Sequence, residues 1–191
     1  GYSATTIRQI LSAAGISTGT LYHFFRDKED ILYHLTENHL DETNDLIYSL
    51  VSPKPDYILV YTMVIALLLS SVEKYEHVAE LYLAMYRSWS ICDMICRKSA
   101  ERNRLNWEKY CRDRSDEWWY ARSLAVTGII QNCIAERMHG GKLSLDERLR
   151  LILDCAFAFF SIPRGKMAPA IARAGEIMKN NDIVIYGISI S

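Results

Sequence analysis

The side chains best placed to do chemistry lie near the start of the 191-residue chain, in the run Ser17-Thr18-Gly19-Thr20-Leu21-Tyr22-His23. Ser17 stands where a helix would begin, and Leu21, Tyr22 and Phe25 follow at helical spacing, so one face can pack while Thr18, Thr20 and His23 stay on the other. Hydroxyl and imidazole groups beside the unsatisfied N–H groups of a helix start are donors and acceptors suited to phosphate oxygens and base edges. In a helix-turn-helix the second helix enters the major groove by this end. The residues upstream supply the rest of such a unit. Thr6 and Gln9 have capping-box spacing, Ile7, Ile10 and Leu11 share a face, and Gly15 sits where the turn needs a left-handed backbone. Tyr22 and Phe25 are expected in the core by their bulk, with the Tyr22 hydroxyl able to serve a contact as well.

Other reactive side chains are less well organised. Cys92 and Cys96 lie one helical turn apart around Asp93, a spacing that two thiolate ligands of a metal could use, but no second pair or nearby His completes a site. Reduced core cysteines are the reading kept, and no metal or cofactor is expected. His23, His34, His39, His77 and His139 are scattered, and no Ser-His-Asp order, H-E-x-x-H or Gly-rich phosphate loop is legible, so no enzyme is expected. Residues 97–114 carry seven basic and three acidic side chains, which could attract an anionic effector but more often form a solvated helix face.

The whole stretch from Thr5 to Leu32, TTIRQILSAAGISTGTLYHFFRDKEDIL, resembles the DNA-binding module of TetR-family transcriptional regulators. The resemblance implies an all-α fold, a helix-turn-helix that binds double-stranded operator DNA as a dimer, and a larger C-terminal helical bundle whose small-molecule ligand releases or alters DNA binding. By position, it implies that Thr6 and Arg8 approach the backbone or groove and that Ser17, Thr18 and Thr20 face bases or phosphates. Tyr22 and Lys28 would hold phosphates, with Asp27 capping the helix that Lys28 begins. One position departs from the pattern: Phe24 stands where the family usually has His or Tyr, and His23 lies one residue earlier. A phosphate contact there is missing or is made by His23 from a different angle. The family also has a helix before Gly1, often behind a basic arm, so the sequence is expected to begin late.

Composition sets the remaining bounds. A formal charge of −1 is not that of a protein that coats nucleic acid indiscriminately, and the module itself is near balance, with Arg8, Arg26 and Lys28 against Asp27, Glu29 and Asp30. Half of the chain is hydrophobic, enough for a sizeable core. Five cysteines without scaffold spacing suit the reducing cytoplasm, and no signal peptide is visible. The apolar run from Tyr57 to Val72 is shorter than the roughly twenty residues of a bilayer span, which favours a buried core helix and no membrane.

The elements that must position these residues follow in order. Asp27 to about Leu50 reads as one helix leading away from the module. Ser52-Pro53-Lys54-Pro55-Asp56 then marks a boundary between residues 1–50, the DNA-binding unit, and 51–180, the effector and dimerisation unit. After the apolar helix, Val78, Leu81, Tyr82, Met85, Tyr86 and Trp89 recur as one aromatic, sulfur-rich face. Core packing explains most of such a face, but apolar pockets use the same residues, and Tyr61, Tyr86, Trp89 and Trp107 are the ligand-binding candidates for an apolar or aromatic effector. Ser115 opens a helix that Gly140-Gly141 ends. Ser144 and Glu147 form a second capping box, opening a helix with a Leu145, Leu149, Ile152, Ala156, Phe160 stripe. Leu153, Phe157 and Phe159 fall outside that stripe. With the last helix, from about Lys166 to Asn180, they suggest a homodimer through residues 145–162 and 166–180, as the resemblance also implies; an internal hairpin is the alternative. Residues 181–191 form a tail that alternates like a strand and has no assigned role. The expected function is a ligand-released transcriptional repressor; the alternative is a regulator acting through a protein partner, with a weak DNA-binding module.

Overall fold

Thr6 begins the first helix as its spacing predicts: its hydroxyl accepts from the Gln9 N–H at 3.3 Å, and the Gln9 side chain accepts from the Thr6 N–H at 2.7 Å. The computed structural model describes residues 1–51, 53, 56–185 and 188–190. Among them run α1 (Ile7–Ala14), α2 (Thr18–Phe24), α3 (Lys28–Val51), α4 (Tyr57–Lys74), α5 (Glu76–Arg87), α6 (Trp89–Trp107), α7 (Asp116–Met138), α8 (Leu145–Phe159) and α9 (Met167–Asn180). The expected side-chain caps recur at Ser17, Ser115 and Ser144, and Asp56 adds one that the sequence reading did not name, each accepting a backbone N–H of the first turn. Asp27 caps α3, accepting the Asp30 N–H at 2.8 Å. Of the expected break after α3, Pro53 lies in a turn, while Ser52, Lys54 and Pro55 lie outside the described residues.

The apolar α4 is the centre of the bundle, packed by α3, α5, α8 and α9, with α6 and α7 forming the broadest helix pair beside it. It is the one described helix long and apolar enough to cross a bilayer, and 56% of it is buried inside the protein. Neighbours on several sides explain why apolar residues surround its axis. The larger core cluster joins Leu32 of α3 to α4–α8; a second gathers Ile47, Val60, Met63, Leu67, Ala174 and Ile177 where α3, α4 and α9 meet. Arg148, 4% exposed, ties α8 to the ends of α4 and α7 through Glu73 at 2.7 Å and Glu136 at 3.5 Å.

Two expectations change. The face running through Val78 to Trp89 is interrupted, because Ser88 accepts the Ile91 N–H and starts a new helix; the helical phase resets, and Trp89 is left 66% exposed. Leu153 and Phe157 are buried in the chain's own core, at 0% and 1% exposure, because α8 packs on both α4 and α7. Only Leu151 and Phe159 remain as large exposed apolar groups on α8, at 44% and 36%. The tail does form strands, an antiparallel pair Val184–Ile185 and Ile188–Ser189, although Tyr186, Gly187 and Ser191 lie outside the described residues. Ile183 and Ile190 beside those strands are buried against the second core cluster.

Candidate DNA-reading face and effector cavity

The turn between α1 and α2 rests on Gly15, whose φ of 66° is left-handed and whose N–H bonds to the Leu11 carbonyl. Of α2, only Leu21 is buried; Thr18, Thr20, Tyr22, His23 and Phe24 are all exposed. Tyr22, expected in the core, is 53% exposed, because Leu21 takes the inward position and Phe25 closes the helix half-buried against His34. The Ser17 and Thr20 hydroxyls lie 2.9 Å apart, and Ser17 also takes the Thr20 N–H at 3.1 Å, so the start of the helix is fixed before any ligand arrives. His23 meets Phe24 edge-on with ring centroids 4.9 Å apart, and Phe24 itself is 68% exposed. Thr6 and Arg8 are exposed at the start of α1. Lys28 is placed differently from the rest. Its ammonium donates to the Tyr2 and Thr5 carbonyls at 2.6 and 2.7 Å and lies 4.1 Å from the centre of the Tyr2 ring, holding the segment before α1 onto the start of α3.

From this face α3 leads into the bundle. At its start, Glu29 accepts from the hydroxyls of Ser88 and Ser90 at the α5–α6 corner. Further along, Lys98 of α6 pairs with Asp41 at 2.7 Å and Glu37 at 3.5 Å. Along the same helix lies a cavity of about 270 Å³ lined by α3, α4 and α5, with Ile95 of α6 and Ile190 of the tail completing it. One wall is entirely α3: Leu35, Thr36, His39, Leu40, Thr43 and Asn44. Leu35, 36% exposed, forms its rim. Among the described residues no Asp, Glu, Lys or Arg lines it.

Its polar groups are few. His39 Nε2 lies 2.7 Å from the Tyr82 hydroxyl, and Thr43 Oγ1 lies 3.4 Å from His39 Nδ1. Burial pushes the His39 pKa down to about 4, so the imidazole is neutral at pH 7. Thr36, Asn44 and Ser71 each donate to a carbonyl of their own helix, those of Leu32, Leu40 and Leu68.

A family model described as bacterial regulatory proteins of the tetR family matches residues 1–35, the span of this helix-turn-helix and the start of α3. Residues 1–35 are thus similar to the DNA-binding module of that family. The HTH-type transcriptional regulator HbdR of Aromatoleum sp. (strain CIB) is 51% identical over 41 residues, 22% of this chain and 18% of the relative. The HTH-type transcriptional repressor KstR2 of Mycolicibacterium smegmatis (strain ATCC 700084 / mc(2)155) is 44% identical over 41 residues, 22% of this chain and 20% of the relative. The aligned stretch thus spans about a fifth of each relative's length. No solved structure gives a significant match.

Outside this N-terminal module, the structure redistributes the ligand candidates. Tyr86 lines the cavity; Trp89, Tyr61 and Trp107 do not. Trp89 faces solvent. Tyr61 and Trp107 belong to an aromatic wedge with Tyr57 and Phe160, ring centroids 4.8 to 5.1 Å apart around Trp107, and burial raises the Tyr61 and Tyr57 hydroxyls above the ordinary phenol range. The sequence does not single out His39, Tyr82, Thr43 and Asn44 as ligand groups. On α3 their signal is the alternation of polar groups with Leu35 and Leu40, which a solvated helix face produces equally. Cys92 and Cys96 are buried; desolvation pushes the Cys96 thiol up to about 12, where it remains protonated and lies 3.6 Å from the Thr127 hydroxyl. Among the described residues no three His, Cys, Asp or Glu side chains gather as metal ligands.

Proposed function

We propose that the protein is a homodimeric, DNA-binding transcriptional repressor released by a small molecule bound in the cavity. The observation that carries this reading is that one helix serves both sites: α3 starts four residues after α2 ends and forms a whole wall of the cavity. A ligand that prefers one position of α3 shifts the spacing of the two reading helices in a dimer, and differential affinity for two conformations is what release requires. In this reading residues 1–50 are the DNA-binding unit, with Thr6, Arg8, Ser17, Thr18, Thr20, Tyr22 and His23 on the DNA. Lys28 would position the segment before α1 and touch phosphate only with its remaining N–H. Residues 51–180 hold the effector and dimer surfaces. The exposed Leu151, Ala158 and Phe159 on α8 with the half-buried Cys155 between them, and Ala168, Ala172 and Gly175 on α9, make up the face offered to a second copy.

Fluorescence anisotropy with duplex DNA from the protein's own promoter, against an unrelated duplex and across a salt series, tests the first half. Selective binding that weakens linearly in log Kd against log salt is expected. Equal, weak binding to both duplexes would replace this reading with a regulator acting through a protein partner, for which the exposed Phe24 on the reading face is the supporting feature.

A further inference from the structure

We infer that the cavity takes an uncharged, largely apolar molecule with a single hydroxyl or carbonyl group, which the His39–Tyr82 pair reads by hydrogen bonding. The inference rests on the proposal that the cavity is an effector site, and adds what that effector is. Three observations carry it.

The first is the lining. Among its described residues none bears a formal charge, and most are Leu, Val, Ile, Met or Tyr. An ionised carboxylate or phosphate would lose its hydration there with no cation to replace it, whereas an apolar body gains by leaving water. The second is where the polar groups sit. Thr36, Asn44 and Ser71 turn their donors back onto their own helices, so the cross-helix contact between α3 and α5 is made by His39 and Tyr82 at 2.7 Å. A hydroxyl and an imidazole each both donate and accept, so the pair can exchange a bond with a neutral ligand group of either kind. The burial that keeps the imidazole neutral removes the one group that could have balanced an anion. The third is size. At roughly 30 Å³ for each water in the liquid, a cavity of about 270 Å³ holds on the order of ten non-hydrogen atoms, as in an alkyl-substituted phenol. Because the pair bridges α3 to α5, a ligand group inserted there changes the separation of the helix that leads to the DNA face from the helix behind it.

Titration calorimetry of the full chain at pH 7.5 with para-propylphenol, butylbenzene and para-ethylbenzoate, three probes of similar size, tests this. The phenol is expected to bind at least tenfold more tightly than butylbenzene, and the benzoate at least tenfold more weakly than the phenol. Tyr82→Phe is expected to bring the phenol down to the affinity of butylbenzene while leaving butylbenzene within twofold. Circular dichroism confirms that the variant is folded, and Thr43→Val serves as a second variant, expected to lower phenol affinity severalfold by loosening His39. Tight binding of the benzoate would overturn the ligand class while leaving the effector-site reading in place. Equal binding of the phenol and butylbenzene, unchanged by Tyr82→Phe, would overturn the reader pair. Failure of all three probes to bind would remove the effector-site reading itself, and this inference with it.

Discussion

His39 shows most directly how burial turns one residue into a measurable property of the whole. Its pKa falls from 6.5 to about 4 because desolvation disfavours the imidazolium, and it keeps contact with the Tyr82 hydroxyl as a neutral ring. The folded state therefore binds the proton less readily than the unfolded chain. The stability this group contributes is fully present above pH 6.5 and is lost as pH falls from 6.5 towards 4, at a cost of ~2 kcal/mol by pH 5. Urea midpoints at pH 7 and pH 5 should reveal it: His39→Leu should lose less stability across that interval than the parent chain by about that amount. An identical drop in both proteins would show that His39 titrates normally.

At the scale of elements, two glycines of the helix-turn-helix have opposite expected behaviour. Gly15 has φ 66° with open space where a Cβ would stand, so Gly15→Ala suffers only the left-handed backbone cost, ~1–2 kcal/mol of stability by thermal or urea unfolding. Gly19 lies inside α2, where an added Cβ would meet only the Ser17 hydroxyl oxygen at 3.8 Å. Gly19→Ala should stabilise by ~0.5–1 kcal/mol through the helix and the unfolded chain. If α2 approaches DNA closely by its first turn, the same change should weaken promoter binding, so stability and affinity move in opposite directions. Unchanged affinity would place Gly19 away from the DNA. The helix α3 has its own test at Glu29, which joins it to Ser88 and Ser90. Glu29→Ala should cost no more than about 1 kcal/mol, since the contact is exposed. It should nevertheless bring the ratio of DNA Kd values with and without para-propylphenol closer to one, because the ligand would then move α3 without a fixed corner to act against. A ratio equal to the parent's would exclude this contact from the coupling.

For the whole molecule, the question is which apolar surface is left over once the bundle is packed. Leu151 and Phe159 stay exposed on α8 while Leu153 and Phe157 are consumed inside, so a second copy would meet the former pair. Replacing both Leu151 and Phe159 by Lys should change the stability of an isolated subunit by less than about 0.5 kcal/mol, as for exposed sites generally. In light scattering after size exclusion, the variant should run as a monomer at concentrations where the parent is a dimer, and its promoter affinity should fall with dimerisation. A dimer that survives the double change would place the interface elsewhere.

The sequence by itself determined most of the helix starts and the character of the N-terminal module, because those depend on neighbours a turn apart; the Ser88 cap that separates α5 from α6 is just as local but is masked by the apolar spacing that runs across it. Thr6 with Gln9, Ser17 with Thr20, Asp27 with Asp30 and Ser144 with Glu147 are contacts within a single turn, and each forms where the spacing places it. The Gly15 turn is equally local. Only the tertiary structure decided which residues face the cavity, because its wall is assembled from three helices whose mutual rotation no single periodicity encodes. Tyr61 and Trp107 were taken up by packing with Phe160, and His39 met Tyr82, 43 residues away, only once α3 and α5 came together. A polar residue on a helix looks the same in sequence whether it meets water or a buried partner, and that difference is set by the neighbouring helices.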